Sequence, residues 1–167
     1  MIDERQMTCF FTGHRSLPQE KMSAITERLD RTIEDLIARG VSRFVCGGAV
    51  GFDTLAACRV IVAKNRHPNI EFCLVLPCRD QTARWRSSYD LALYQRIKGY
   101  ADSVCYATDT YSTGCMHLRN RMMADMSSVC VTFYNGSPKG GTAYTVRYAI
   151  ESSIRVINLY EELKISK

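Results

Sequence analysis

Six short runs of apolar and β-branched residues recur along the chain, and the stretches between them carry helical spacing. The runs are residues 8–12, 43–46, 71–76, 103–106, 129–134 and 155–159, each short enough for a buried strand. Between the first two, Ile25, Leu29, Ile33, Leu36 and Ile37 recur at three- and four-residue intervals. Leu55, Ala56, Ile61 and Val62 give a second stretch helical spacing, between the second and third runs. Further helices are expected over residues 82–99, 115–125 and 141–151. Strands that alternate with helices pair in parallel, because the crossover helices must lie on the faces of the sheet and shield them from water. The expectation is an α/β, Rossmann-like open parallel sheet of about six strands with helices on both faces.

A chain of 167 residues with 46% hydrophobic content can bury one sizeable core, so residues 1–167 read as a single domain. The first residues, Met-Ile-Asp-Glu-Arg-Gln, lack a basic segment followed by an apolar stretch, and no later run has the length of a membrane span. A soluble, cytoplasmic protein with no membrane partner is expected. Eight cysteines are present without a CxxC pair or clustered histidines, which argues against a zinc site. Most of them fall in apolar runs and read as buried, reduced thiols rather than a disulfide framework or a catalytic thiol. The net charge of +5 favours anionic partners but is modest for a protein that grips duplex nucleic acid.

In such a sheet ligands bind beyond the carboxyl ends of the strands, where loops enter helix amino termini. The first loop, Thr12-Gly13-His14-Arg15-Ser16-Leu17-Pro18, offers a glycine, an imidazole and a fixed cation. Gly13, His14 and Arg15 are candidate ligand contacts, and Ser16 is expected to cap a helix begun by Pro18. The second loop runs Cys46-Gly47-Gly48-Ala49-Val50-Gly51-Phe52-Asp53-Thr54. Gly47, Gly48, Ala49 and Gly51 let the backbone approach a ligand, with phosphate held by N–H groups at the next helix start. Asp53 has two readings, a ribose hydroxyl partner or a favourable charge on the helix dipole. This loop is not a GxGxxG fingerprint.

After the third strand, Arg84 and Trp85 could stack a base, although the tryptophan could equally pack on the sheet. Arg119, Asn120 and Arg121 follow the fourth strand, and two arginines two residues apart on a helix cannot both look straight into one site. A second glycine-rich loop, residues 134–142, supplies Asn135, Gly140, Gly141 and Thr142; it lacks the Gly-Lys-[Ser/Thr] of a Walker A loop.

Taken together, Thr12-Gly13-His14-Arg15, Gly47-Gly48-Ala49 with Gly51 and Asp53, Pro77 with Gln81 and Trp85, Arg119-Asn120-Arg121 with Met123 and Asp125, and Gly140-Gly141-Thr142 resemble the SLOG superfamily, and within it the YpsA-like branch. Related branches are the LOG phosphoribohydrolases and the DNA-processing protein DprA. The resemblance implies a nucleotide or ADP-ribose-type ligand, possibly cyclic in form, bound by a sensor, carrier or sequestering protein that needs no cofactor and forms a homodimer or larger homo-oligomer. It also implies two alternatives: N-glycoside or phosphoribosyl hydrolysis of the LOG type, and single-stranded DNA binding as in DprA. LOG enzymes are similar at Met116-His117-Leu118-Arg119 and Gly141-Thr142, but their pattern continues to a glutamate where this chain has Thr145, and no carboxylate follows before Glu151. Without it, positive charge developing on a sugar lacks its nearby carboxylate, unless another acid such as Asp53 serves.

Overall fold

A computed structural model describes residues 3–165. Six strands, β1 (Thr8–Gly13), β2 (Arg43–Cys46), β3 (Glu71–Leu76), β4 (Ser103–Tyr106), β5 (Val129–Phe133) and β6 (Arg155–Asn158), form one sheet. Its order is β4-β3-β2-β1-β5-β6, and every neighbouring pair is parallel. The chain lays down β1 to β4 toward one edge and returns to place β5 beside β1. That reversal creates a switch point between β1 and β5, where loops from both halves diverge and leave a crevice.

Six α-helices cover the sheet: α1 (Met22–Ala38), α2 (Phe52–Arg66), α3 (Ser88–Tyr100), α4 (Cys115–Asp125), α5 (Gly141–Glu151) and α6 (Leu159–Ile165). Strand alternation divides the core between the two faces. Cys9, Phe11, Phe44, Phe72 and Val131 face Ile25 and Leu29 of α1, Val60 of α2 and Ile97 of α3. Phe10, Val45, Val75 and Cys130 face Met123 and Ala124 of α4 and Ala149 of α5. Helices therefore shield both faces, as parallel pairing requires.

Three local expectations are corrected. Ser16 caps nothing: Pro18 is extended, a 3-10 turn spans Gln19–Lys21 without a side-chain cap, and α1 begins only at Met22. The third helix starts at Ser88 rather than near residue 82, because Ser87 Oγ accepts from the Asp90 N–H at 3.1 Å and caps it there. The segment before it turns, with Ala83 and Trp85 N–H groups bonded to the Asp80 and Thr82 carbonyls. The last strand gives way at Leu159 to α6, whose Arg28–Glu162 ion pair at 3.4 Å ties it to α1. Asn158 fixes that corner: its amide donates to the Tyr134 carbonyl at 2.8 Å, and its Oδ1 accepts from Tyr134 and Tyr160 N–H groups.

All eight cysteines are free, six of them buried, with Cys58 half-buried and Cys105 exposed. Burial pushes the Cys78 thiol up to about 11 and raises Cys9, Cys46 and Cys130 as well, which keeps them as unreactive thiols. No helix among the described residues is long and apolar enough to cross a membrane.

Candidate ligand-binding site

The crevice at the switch point holds a cavity of about 450 Å³, within the range of small-ligand pockets. Its walls come from the loops after β1, β2 and β5 and from the start of α4.

The β1 loop enters along the cavity floor. Gly13 has space for no side chain, since a Cβ there would lie 2.5 Å from the Phe52 ring. His14 is clamped on three sides. Its N–H donates to the Phe133 carbonyl at 3.3 Å, its carbonyl accepts from Phe52, and its Nε2 accepts from the Asn135 N–H at 3.0 Å. That last bond leaves Nδ1 as the ring's donor. Arg15 follows, exposed at the mouth.

Gly51 precedes α2 at φ 85°, ψ −125°, a conformation closed to L side chains, and a Cβ would overlap the Arg15 carbonyl. The β1 and β2 loops thus touch backbone to backbone. At Gly47 the constraint is space: a Cβ would stand 2.6 Å from Arg119 Nη1 and 3.0 Å from Asp53 Oδ2. Gly48 faces Leu76 and Tyr94, away from the cavity.

Arg119 is 4% exposed, reaching from α4 to the β2 loop. Its Nη1 donates to the Gly47 carbonyl and its Nε to Asn120 Oδ1 at 2.7 Å. Asp53, 6% exposed in the first turn of α2, accepts from the Ala49 N–H at 3.3 Å. Burial raises its carboxyl to about 6, against the pull of Arg119, Arg15 and the Ala49 bond. The same burial lowers the Arg119 guanidinium from its ordinary value, with Asp53 opposing.

Three helices start at this cavity, each preceded by a glycine: α2 after Gly51, α4 after Gly114 and α5 after Gly140. None has a side-chain N-cap; the Phe52 N–H of α2 is bonded to the His14 carbonyl and the Cys115 N–H of α4 to the Ser112 carbonyl, and the positive dipole ends with the N–H groups that follow suit an anion. Arg15, Arg119 and Lys139 add cationic charge, and Asp53 is the one carboxylate among the lining residues.

Of the residues anticipated from sequence, Gly13, His14, Arg15, Ala49, Asp53, Arg119, Asn120, Gly140, Gly141 and Thr142 line this cavity together. Gly47 and Gly51 lie behind the wall and set its shape. Arg121 points elsewhere, donating to Tyr144 Oη at 2.8 Å. Asn135 lies on the far side of His14. Trp85 packs against the core with its ring 5.3 Å from Tyr94, and Arg84 is exposed; neither reaches the cavity.

Thr12, Met116, His117 and Lys139 also line the cavity. Met116 was detectable, since it stands three and four residues before Arg119 and Asn120 on one helix face. His117 lies against Tyr144, with ring centroids 4.1 Å apart. Position 145, where the LOG pattern carries its glutamate, is wholly buried, and Thr145 Oγ1 donates to the Gly141 carbonyl at 2.8 Å.

Fold and site define a Rossmann-like α/β domain with a polar, cation-lined crevice at its switch point. The chain belongs to the YspA SLOG family, whose model matches residues 9–162. It is 30% identical over 141 residues to the SPbeta prophage-derived protein YoqJ of Bacillus subtilis, covering 77% of this chain and 81% of that protein. It is 26% identical over 146 residues to the UPF0398 protein BH1768 of Halalkalibacterium halodurans, covering 86% and 74%. Among solved structures, the DNA processing protein A of Helicobacter pylori, described for its single-stranded DNA binding mode, superposes with a TM-score of 0.61 at 18% identity, over 95% of this chain and 72% of that one. The Streptococcus pneumoniae protein superposes at 0.52 and 11% identity, over 97% and 62%. At those identities the likeness is one of fold.

Proposed function

We propose that this protein binds a phosphate-bearing nucleotide or ADP-ribose-type ligand in the switch-point crevice, as a sensor, carrier or sequestering protein. The observation that carries the reading is the convergence of three uncapped helix amino termini with Arg15, Arg119 and Lys139 on one cavity. Donors fixed by the backbone hold an anion without reorganising, which suits recognition of phosphate. Asp53 and Asn120 supply an acceptor and an amide for sugar hydroxyls. Denaturing the purified protein and examining the supernatant by mass spectrometry tests this: a stoichiometric nucleotide-type compound is expected, intact. Released base and sugar phosphate in place of an intact ligand would oppose it.

Hydrolysis of an N-glycosidic bond is the second reading, and one observation favours it. Asp53 is a buried carboxyl that titrates near 6 and opens on the same cavity as Arg119. Against it, Asp53 bonds the Ala49 N–H and position 145 is unable to present a carboxylate to the cavity. Single-stranded DNA binding comes third: stacking bases needs a series of aromatic platforms, and the rings lining this cavity are His14 and His117. Self-association belongs to the same proposal. The family resemblance implies a homodimer or larger homo-oligomer, and sedimentation velocity tests it.

A further inference from the structure

The loop of His14 and Arg15 has a cavity on each side. The switch-point cavity lies on one; on the other is a cavity of about 510 Å³, bounded by Ser16, Lys21, Phe133 and Tyr160. Both are lined by His14 and Arg15. The partition between them is thin: the His14 ring, pinned by the Asn135 N–H, and the exposed Arg15 side chain.

The two cavities differ in chemistry. The first is ringed by helix amino termini and cations. The second is walled by rings: Tyr160 stands edge-on to Phe133 with centroids 5.4 Å apart, and the His14 ring is edge-on to Phe133 at 6.5 Å. Phe133 is almost fully covered by its neighbours, so Tyr160 and His14 offer the accessible ring surface. Lys21 and Glu20 sit at its rim, one a donor to phosphate, the other an acceptor for sugar hydroxyls. Each volume suits one nucleoside-sized unit, and together they exceed the needs of a mononucleotide.

We infer that the ligand is bipartite: two nucleoside-type units joined through phosphates, one in the switch-point cavity and the other against Tyr160 and His14, with Arg15 over the phosphate bridge. This rests on the proposed binding function and narrows it to a class. A mononucleotide fills the first cavity and leaves the second unused. A dinucleotide engages both and gains the stacking surface without a second loss of overall freedom.

Calorimetry with AMP and with NAD as probes tests the class. The wild-type protein is expected to bind NAD at least about tenfold more tightly than AMP. Ser16→Trp places an indole in the second cavity from an exposed position, and Lys21→Glu reverses the charge at its rim; each should remove that advantage and leave AMP affinity unchanged. If NAD binds no more tightly than AMP, or if its advantage survives both variants, the bipartite class is wrong while nucleotide binding stands. If folded wild-type protein binds neither, the proposed function itself fails and the inference with it.

Discussion

Asp53→Asn should make the protein more stable at pH 8. The Asp53 carboxyl is buried and accepts one long bond from Ala49, so its ionised form is poorly solvated. Its folded value is about 6 against an ordinary 3.8, a shift of roughly two units, which corresponds to about 3 kcal/mol of destabilisation when the group is ionised. The sign follows from the raised value. Stability contributed by the protonated form is fully present below about 4, falls as pH rises, and is lost above about 6. Asparagine mimics the protonated form, keeps an acceptor for the Ala49 N–H and carries no charge. Urea unfolding at pH 8 should therefore show the variant more stable by about 3 kcal/mol, and at pH 5 by about half of that. The natural carboxylate is then retained at a cost to stability, which is the pattern of a functional group. A variant that is less stable than wild type at pH 8 would refute the reasoning, since Asp53 would then be a structural counter-charge for buried Arg119.

Arg119→Lys should weaken nucleotide binding by about 1 to 3 kcal/mol in calorimetry, because lysine cannot donate at once to the Gly47 carbonyl, Asn120 and an anion. Arg121→Lys, which alters a contact with Tyr144 away from the cavity, should leave affinity unchanged. Gly51→Ala forces an L side chain into φ 85° against the Arg15 carbonyl and should lower the melting temperature by several degrees in calorimetric scans. Thr145→Glu, which restores the LOG carboxylate, should destabilise the fold by about 3 kcal/mol or more and confer no base release, because position 145 is sealed in the core. Binding of ADP-ribose, whose phosphates do not titrate in this range, should strengthen as pH falls from 8 to 5.5 and Asp53 loses its charge. Asp53→Asn should remove that dependence.

The sheet was legible because its central strands are buried on both faces and read as apolar runs: residues 43–46 and 71–76 match β2 and β3 end to end, and the run 103–106 matches the edge strand β4 although Ser103 and Cys105 are exposed. Loop chemistry placed much of the crevice, since a parallel sheet delivers its carboxyl-end loops to one rim. Side-chain direction was not legible. Gly47, Gly48 and Gly51 share one loop, yet one backs Arg119, one faces Leu76 and one meets Arg15, a distinction set by tertiary contacts up to 72 residues away. Trp85 carried two readings that sequence could not separate; Tyr94, nine positions on, holds it against the core. His117 in the first turn of α4 and Lys139 in the loop before α5 are not distinguishable in sequence, because a rim histidine and an exposed lysine look like ordinary surface until the helix starts beside them converge.

Binding without turnover at Arg119 separates a ligand-holding protein from a glycoside hydrolase, and one paired measurement tells the two apart. Wild type and Arg119→Ala are incubated with AMP, ADP-ribose and NAD; melting temperature is recorded first, and free base is quantified by liquid chromatography after a long incubation. The expectation is that at least one ligand raises the wild-type melting temperature, that the rise is lost in Arg119→Ala, and that neither protein releases base above the uncatalysed rate. Release of adenine or nicotinamide by wild type that disappears in Arg119→Ala would contradict it and make the crevice the active site of a glycoside hydrolase.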